Sequence, residues 1–119
     1  MSTPGWTLDD GEARAAEFPA TFHIAPAATR AGLRPGDYAK LVFRFDGADG
    51  SAVERMWTVV FAREDGRYRG RLVYQPHARP LDPGLRYLAE IAYEARHIVD
   101  WEDADRRSLA FVADPSLEY

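Results

Sequence analysis

The chain contains no cysteine. This absence excludes disulfide bonds, a thiolate zinc site and a cysteine nucleophile. Long apolar runs are absent too, since none approaches the roughly 20 residues that a helix needs to span a bilayer. The first residues lack the basic and apolar regions of a secretion signal. We therefore predict a cytoplasmic protein that does not insert into a membrane.

Lysine is nearly absent, because Lys40 is the only lysine among the 15 basic residues and the others are arginines. The formal net charge is −4. An extended nucleic-acid-binding surface needs a clustered excess of positive charge, which this balance does not supply. We therefore do not expect nucleic acid as a partner, and the arginines predicted on one strand face are a local exception to this balance.

Metal-binding motifs are missing as well. The three histidines, His23, His77 and His97, form neither an HxH nor an HExxH pattern. Imidazole is a common zinc ligand, but a structural or catalytic site needs at least three ligands placed together. The sequence predicts no metal ion and no other cofactor.

The composition that remains is that of one folded domain. Of the 119 residues, 46% are apolar and 13% are aromatic, which is enough for a core of its own. Residues 1–12 mix Ser, Thr, Pro, Gly and Asp and predict a flexible leader. Residues 102–119 form a C-terminal extension, in which 108–112 have the apolar character of an added edge strand.

The clearest pattern runs from Arg34 to Tyr74 and predicts three consecutive antiparallel strands. Side chains alternate along 37–45, so one face of the first strand is core. That face consists of Ala39, Leu41, Phe43 and Phe45. The second strand, 53–62, leaves its register open, because the set with Met56 and the set with Trp57 are both apolar enough to be buried.

Turn signals separate these strands. The loop at 46–51 and the Asp-Gly pair at 65–66 each predict a hairpin reversal. In the third strand, the alternation then places Arg67, Arg69 and Arg71 together on one face. Short helices are predicted at 12–17 and 26–33, since Pro and Gly stand at suitable ends.

Four motifs follow one another in the order GDYAKLVF, ERMW, DGRYRGRL with YQP, and GLRYLAEIAYEARHIVDW. Together they resemble the YegJ-like bacterial family of domains of unknown function, which pairs a GDxVKLxF strand with an ERMWV strand. The similarity covers about residues 21–101. It implies a small, partly open barrel, that is, a curled antiparallel sheet with an N-terminal helix. Leu88 and Ala89 depart from the family, which tends to have Gly-Asp there.

Residues 85–99 give two conflicting signals. Their apolar residues recur at helical spacing, and Ala, Leu, Glu and Arg favour a helix. The resemblance instead implies a strand at 89–94, a short turn at 95–97 and further extended chain. We predict the strand. The expected fold class is therefore α+β, mainly β, with a short N-terminal helix packed on a curled sheet of about four to six strands.

Candidate site residues fall on the arginine-bearing face, on the proline-rich loop at 75–84 and on the last family motif. Arginine beside aromatic rings can pair carboxylates or phosphates and stack on rings. Exposed aromatic and polar residues in the other two segments are of the types enriched at interfaces. The predicted binding residues are Arg55, Trp57, Arg69, Arg71, Tyr74, Gln75, His77, His97, Asp100 and Trp101.

A catalytic alternative rests on His97 as a base that Asp100 orients, with Ser51 or Ser108 as the nucleophile. No nucleophile elbow accompanies these residues, so we name no catalytic residue. The leading hypothesis is a non-enzymatic protein-interaction module whose partner is another protein. Because some members of the resembled family sit among toxin-immunity genes, an immunity-type role is part of this hypothesis. The alternatives are a single-stranded nucleic-acid-binding barrel and a small hydrolase using His97.

Overall fold

Six antiparallel strands form one curled sheet in the computed structural model, which describes residues 5–47, 50–74, 85–116 and 119. The strands are β1 (Trp6–Leu8), β2 (Tyr38–Gly47), β3 (Gly50–Glu64), β4 (Arg67–Leu72), β5 (Glu90–Glu94) and β6 (Ile98–Glu102). The helices are α1 (Gly11–Glu17), α2 (Ala27–Ala31) and α3 (Arg106–Ala113), with a 3-10 turn at Ala95–His97. The predicted fold class, mainly β with α+β character, is confirmed.

The strand order explains the curl. The sheet runs β1-β2-β3-β4-β5, and β6 pairs with β2. β5 is the last strand of this order, three strands away from β2. The three-residue 3-10 turn nevertheless connects β5 directly to β6. The sheet must therefore bend until its two ends approach one another, which gives the half-barrel that the resemblance implies.

The inner face of the half-barrel holds the main core. The four residues predicted on the buried face of β2 are all at most 1% exposed. The register of β3 that the alternation left open is now resolved, because Met56, Thr58 and Val60 are fully buried and pack inward beside β2. Leu85, Ile91 and Ile98 complete this core from the second half of the chain.

The Asp-Gly hairpin is confirmed, since Asp65 and Gly66 both have positive φ, 48° and 77°, as a type I′ turn requires. Beyond it, Gly70 lies where β4 crosses a buried hydrogen bond between the hydroxyls of Thr58 and Tyr93 (2.8 Å). A Cβ on Gly70 would lie 2.8 Å from the Tyr93 hydroxyl. This strand position therefore accepts only glycine without local rearrangement.

The predicted strand at 89–94 is confirmed by β5, and the predicted turn and extended chain are confirmed by the 3-10 turn and β6. The helical spacing of 85–99 did not decide the structure, because residues 90–94 pair with β4 and bury Ile91 and Tyr93 on the inner side of the sheet. Just before β5, Leu88 adopts φ 69°, in the left-handed region. This is the position at which the resembled family tends to have glycine.

Two expectations for the chain ends were wrong. Residues 6–8, predicted to lie in a flexible leader, form β1 and pair with β2, because Trp6 packs on Phe43 with ring centroids 5.5 Å apart. Residues 108–112, predicted as an edge strand, lie in α3. A capping box starts this helix, since the Asp105 side chain accepts the Ser108 N–H (2.8 Å) and the Ser108 hydroxyl accepts the Asp105 N–H (2.9 Å).

Arg30 joins the N-terminal helices to the 3-10 turn. It is 4% exposed. Its Nε donates to the Ala25 carbonyl (2.8 Å), and its Nη1 donates to Glu12 (2.7 Å) and to the Ala95 carbonyl (3.1 Å). One buried guanidinium thereby links α1, α2 and the connection between β5 and β6.

Candidate interaction surface

The outer face of the sheet is covered in two places. Phe22 packs on Val42 and Val99 at one end. Further along, Phe111 of α3 packs on Tyr38 and Val59, and these three residues are buried. The predicted arginine-bearing face is therefore divided into two parts. Phe111 of α3 covers Val59, which lies on β3 between Trp57 and Phe61.

Arg55 and Trp57 lie on the first part of this face. The Arg55 guanidinium stands 5.3 Å from the centroid of the Phe22 ring, and the Lys40 ammonium stands 5.0 Å from that of Trp57. Trp57 is half-buried and packs against the cluster under α3. Both residues therefore help to attach the N-terminal segment and α3 to the sheet.

Arg69 and Arg71 lie on the second part, over one ring. The register between β3 and β4 shifts between Val60 and Ala62, so Phe61 is an inserted bulge residue. The guanidinium carbons of Arg71 and Arg69 stand 5.0 and 5.9 Å from the Phe61 ring centroid. Arg69 also pairs with Glu90 at 3.2 Å. We call Phe61, Arg69, Arg71 and Glu90 the Phe61 surface.

An open cleft of about 820 Å³ adjoins this surface. It lies between the β3–β4 hairpin and the end of β5, with the buried Tyr68 and Tyr93 at its base. Three arginines, three carboxylates and one histidine line it: Arg63, Arg67, Arg69, Glu64, Asp65, Glu94 and His97. Two residues predicted from different motifs, Arg69 and His97, thus meet at one site, and its charge is mixed.

His97 is held in one orientation. Its Nδ1 accepts the Glu94 N–H at 3.0 Å, while the Glu94 carboxylate caps the 3-10 turn. Partial burial lowers the pKa of this imidazole, and the neighbouring Arg96 lowers it further. Because Nδ1 accepts a hydrogen bond, the neutral ring carries its proton on Nε2.

This arrangement gives the catalytic alternative little support. Asp100 is exposed on β6, where its carboxylate accepts the Trp101 N–H (2.8 Å), and Nδ1 of His97 is already bonded to Glu94. Ser108 is fully buried in the capping box of α3. The side chain of Ser51 lies outside the described residues. No serine of the described chain lines the cleft.

The other predicted site residues are dispersed. Tyr74 is 38% exposed just after β4. Trp101 packs against the inner core, opposite Ala39. Asp100 lies opposite Lys40, on the first part of the outer face. Gln75 and His77 lie outside the described residues. Phe61 is not among the residues predicted from the sequence, because the bulge that turns it toward the two arginines has no local signal in the residues around it.

Among residues 5–47, 50–74, 85–116 and 119, no group of three His, Cys, Asp or Glu residues is placed to hold a metal ion. None of the helices in this part of the chain is long and apolar enough to cross a membrane. No family model, curated protein or solved structure significantly matches the chain. The resemblance to the YegJ-like family therefore stays a prediction from the motifs.

Proposed function

We propose that this protein is a non-enzymatic protein-interaction module and that its Phe61 surface binds carboxylates of another protein. One observation supports the proposal above the others: Arg69 and Arg71 share the ring of Phe61 on the outer face of β4. A guanidinium stacked on an aromatic ring loses little further freedom when it binds a carboxylate through two parallel hydrogen bonds.

The contacts that Arg69 and Arg71 make within the protein are weak competitors for a partner's carboxylate. The Arg69–Glu90 pair is exposed on both sides, 60% and 45%, and exposed pairs contribute less than about 1 kcal/mol. Arg71 donates to the Leu88 carbonyl at 3.5 Å, the long limit for such a bond. A carboxylate on a partner can therefore replace these contacts at small cost.

Single-stranded nucleic acid fits this surface less well. Bases stack on open aromatic rings, whereas arginines cover Phe61 and Lys40 lies over Trp57. The adjoining cleft carries the three carboxylates of Glu64, Asp65 and Glu94, which repel phosphates. An immunity-type role remains part of the proposal, and it rests on the family resemblance alone.

The test is capture of partners from host lysate on the purified protein, followed by mass spectrometry. Wild type, Arg71→Ala and Arg55→Ala are compared at about 50 mM and about 500 mM salt. We expect one stoichiometric protein that Arg71→Ala loses and Arg55→Ala retains, since only Arg71 belongs to the Phe61 surface. Equal capture by all three proteins, or retention of nucleic acid that high salt removes, would contradict the proposal.

A further inference from the structure

The free edge of β5 adjoins both the Phe61 surface and the cleft. β5 is the last strand in the sheet order, and β4 pairs with one of its edges only. Among the residues that the structure describes, no strand pairs with the other edge. An unpaired edge offers a row of N–H and C=O groups to an extended segment of another chain.

The hydrogen-bond register shows which groups face outward. Leu72 donates its N–H to the Ala89 carbonyl (2.9 Å). In an antiparallel pair every second residue bonds to the same neighbour, so Ile91 and Tyr93 are the residues of β5 whose backbone groups bond to β4. The backbone groups of Glu90, Ala92 and Glu94 therefore point away from β4. The Glu94 N–H bears this out, because it reaches the imidazole of His97 instead. Glu90 and Ala92 are left to pair with a new strand.

The side chains beside this edge restrict what can occupy it. Glu90, Ala92 and Glu94 lie on the outer face, opposite Arg71, Arg69 and Arg67 of β4. Ala92 has only a methyl group, so the Arg69 side chain can extend across it toward an added strand. The backbone of that strand would lie about 10 Å from the backbone of β4, which is twice the usual strand spacing. An acidic residue of the added strand is favoured opposite Ala92, because Arg69 can bind it there. Acidic residues are disfavoured opposite Glu90 and Glu94, because the like charges repel.

A second copy of the same chain is a poor occupant. Two β5 strands that pair antiparallel about Ala92 place Glu90 of each opposite Glu94 of the other. Two parallel strands in register place each glutamate opposite itself. Like charges directly opposite one another on one face destabilise strand pairing. The edge is therefore better suited to a different protein.

We propose that the partner adds an extended segment to the free edge of β5, with a carboxylate opposite Ala92 that binds Arg69 and Arg71. This inference rests on the proposed function and specifies its partner as a strand with the alternation uncharged–apolar–acidic–apolar–uncharged. The apolar residues of that segment face the inner side, as Ile91 and Tyr93 do, and the cleft provides space beside Tyr93.

The direct test is a nuclear magnetic resonance titration of the full chain with the synthetic peptide Ser-Thr-Val-Glu-Val-Thr-Ser. We expect the largest shifts at the amides of Glu90 and Ala92. Replacing the peptide's Glu by Gln should weaken binding about tenfold, since a charge-assisted bond is lost. N-methylation of the peptide's backbone should abolish binding while its side chains stay the same. Absent shifts on β5, or equal binding of the N-methylated peptide, would overturn the inference.

A protein variant separates this inference from the proposed function. Ala92→Pro removes only an N–H that faces away from β4, which is where a strand tolerates proline. If capture of the natural partner requires both Arg71 and an unblocked Ala92, the edge is the docking site. If capture requires Arg71 but survives Ala92→Pro, the edge inference fails and the proposed function stands. If capture requires neither residue, both fail.

Discussion

Two groups of arginines differ in what surrounds them. In the N-terminal layer, Arg30 is almost fully buried among backbone carbonyls, while Arg14 and Arg44 both bind Asp9, at 2.7 and 2.8 Å. The hydrogen bond from Arg44 is the main reason that the pKa of Asp9 is lowered. On the Phe61 surface, Arg69 and Arg71 have one exposed carboxylate and one long backbone contact. The first group stabilises the fold, and the second is available for a partner.

Loss of the buried arginine should produce the largest change. Arg30→Ala removes two charge-assisted bonds to carbonyls, each worth about 1.5–3 kcal/mol, so we expect unfolding to become easier by about 4 kcal/mol. Glu12→Ala is the matched control. Because Glu12 is 51% exposed and both carbonyl bonds to the buried Arg30 remain, its loss should cost less, about 1–2 kcal/mol. Urea denaturation measures both, and equal costs would show that the ion pair matters more than the carbonyls.

The inner side of β4 should be nearly as sensitive, although its outer side carries the solvent-facing arginines. Gly70→Ala places a methyl group 2.8 Å from the Tyr93 hydroxyl and 2.9 Å from the Val59 carbonyl. We expect a loss of about 3 kcal/mol from overpacking and from the displaced Thr58–Tyr93 hydrogen bond.

Gly66→Ala is the control for that prediction, because its Cβ meets nothing within 4 Å and only its φ of 77° is unfavourable. It should cost about 1 kcal/mol. If thermal denaturation gives the two variants the same cost, the close approach at Gly70 is not what limits that position.

Substitutions on the Phe61 surface should leave the fold nearly unchanged and affect binding instead. For Arg71→Ala we expect a loss of unfolding free energy of at most about 1 kcal/mol, because this half-buried side chain contacts the Phe61 ring and one distant carbonyl. Its affinity for the captured partner should fall about tenfold or more, since a desolvated arginine at an interface is often a hot spot. Calorimetry of binding beside urea denaturation makes this measurement. A destabilisation as large as that of Arg30→Ala would remove the distinction between the two groups.

The smallest expected effect concerns pH. Because partial burial lowers the pKa of His97 below its usual 6.5, the unfolded chain binds more protons as the pH falls through that value. Stability contributed by the neutral imidazole is therefore present above about pH 6.5 and is lost as the pH falls below that value. The aspartates with lowered pKa values lose their contribution only at more acidic pH.

His97→Asn tests this, since an asparagine carbonyl can still accept the Glu94 N–H but does not titrate in that range. Urea denaturation of both proteins at about pH 7.5 and about pH 5.5 should show a smaller pH dependence in the variant. An unchanged dependence would assign the effect to other groups.

Much of the sheet was predictable from local pattern. The alternation in β2 and the Asp-Gly turn specify a buried face and a hairpin, because both depend on neighbouring residues only. For 85–99 the local pattern favoured a helix, and only the motif resemblance predicted the strand that β5 forms. Of the predicted binding residues, Arg69 and Arg71 do lie on one face, over Phe61, whereas Trp57 packs against the cluster under α3 and Arg55 lies over Phe22.

The sequence by itself determined the inner face of β2, the Asp-Gly reversal and the shared face of the β4 arginines, since a period of two and a turn residue act over a few positions. The tertiary structure alone decided the register of β3, the strand at 6–8, the placement of α3 over Val59 and the bulge at Phe61. These features depend on contacts between residues far apart in the chain. For the same reason, only the folded chain brings Phe61, Arg69, Arg71 and the free edge of β5 to one place.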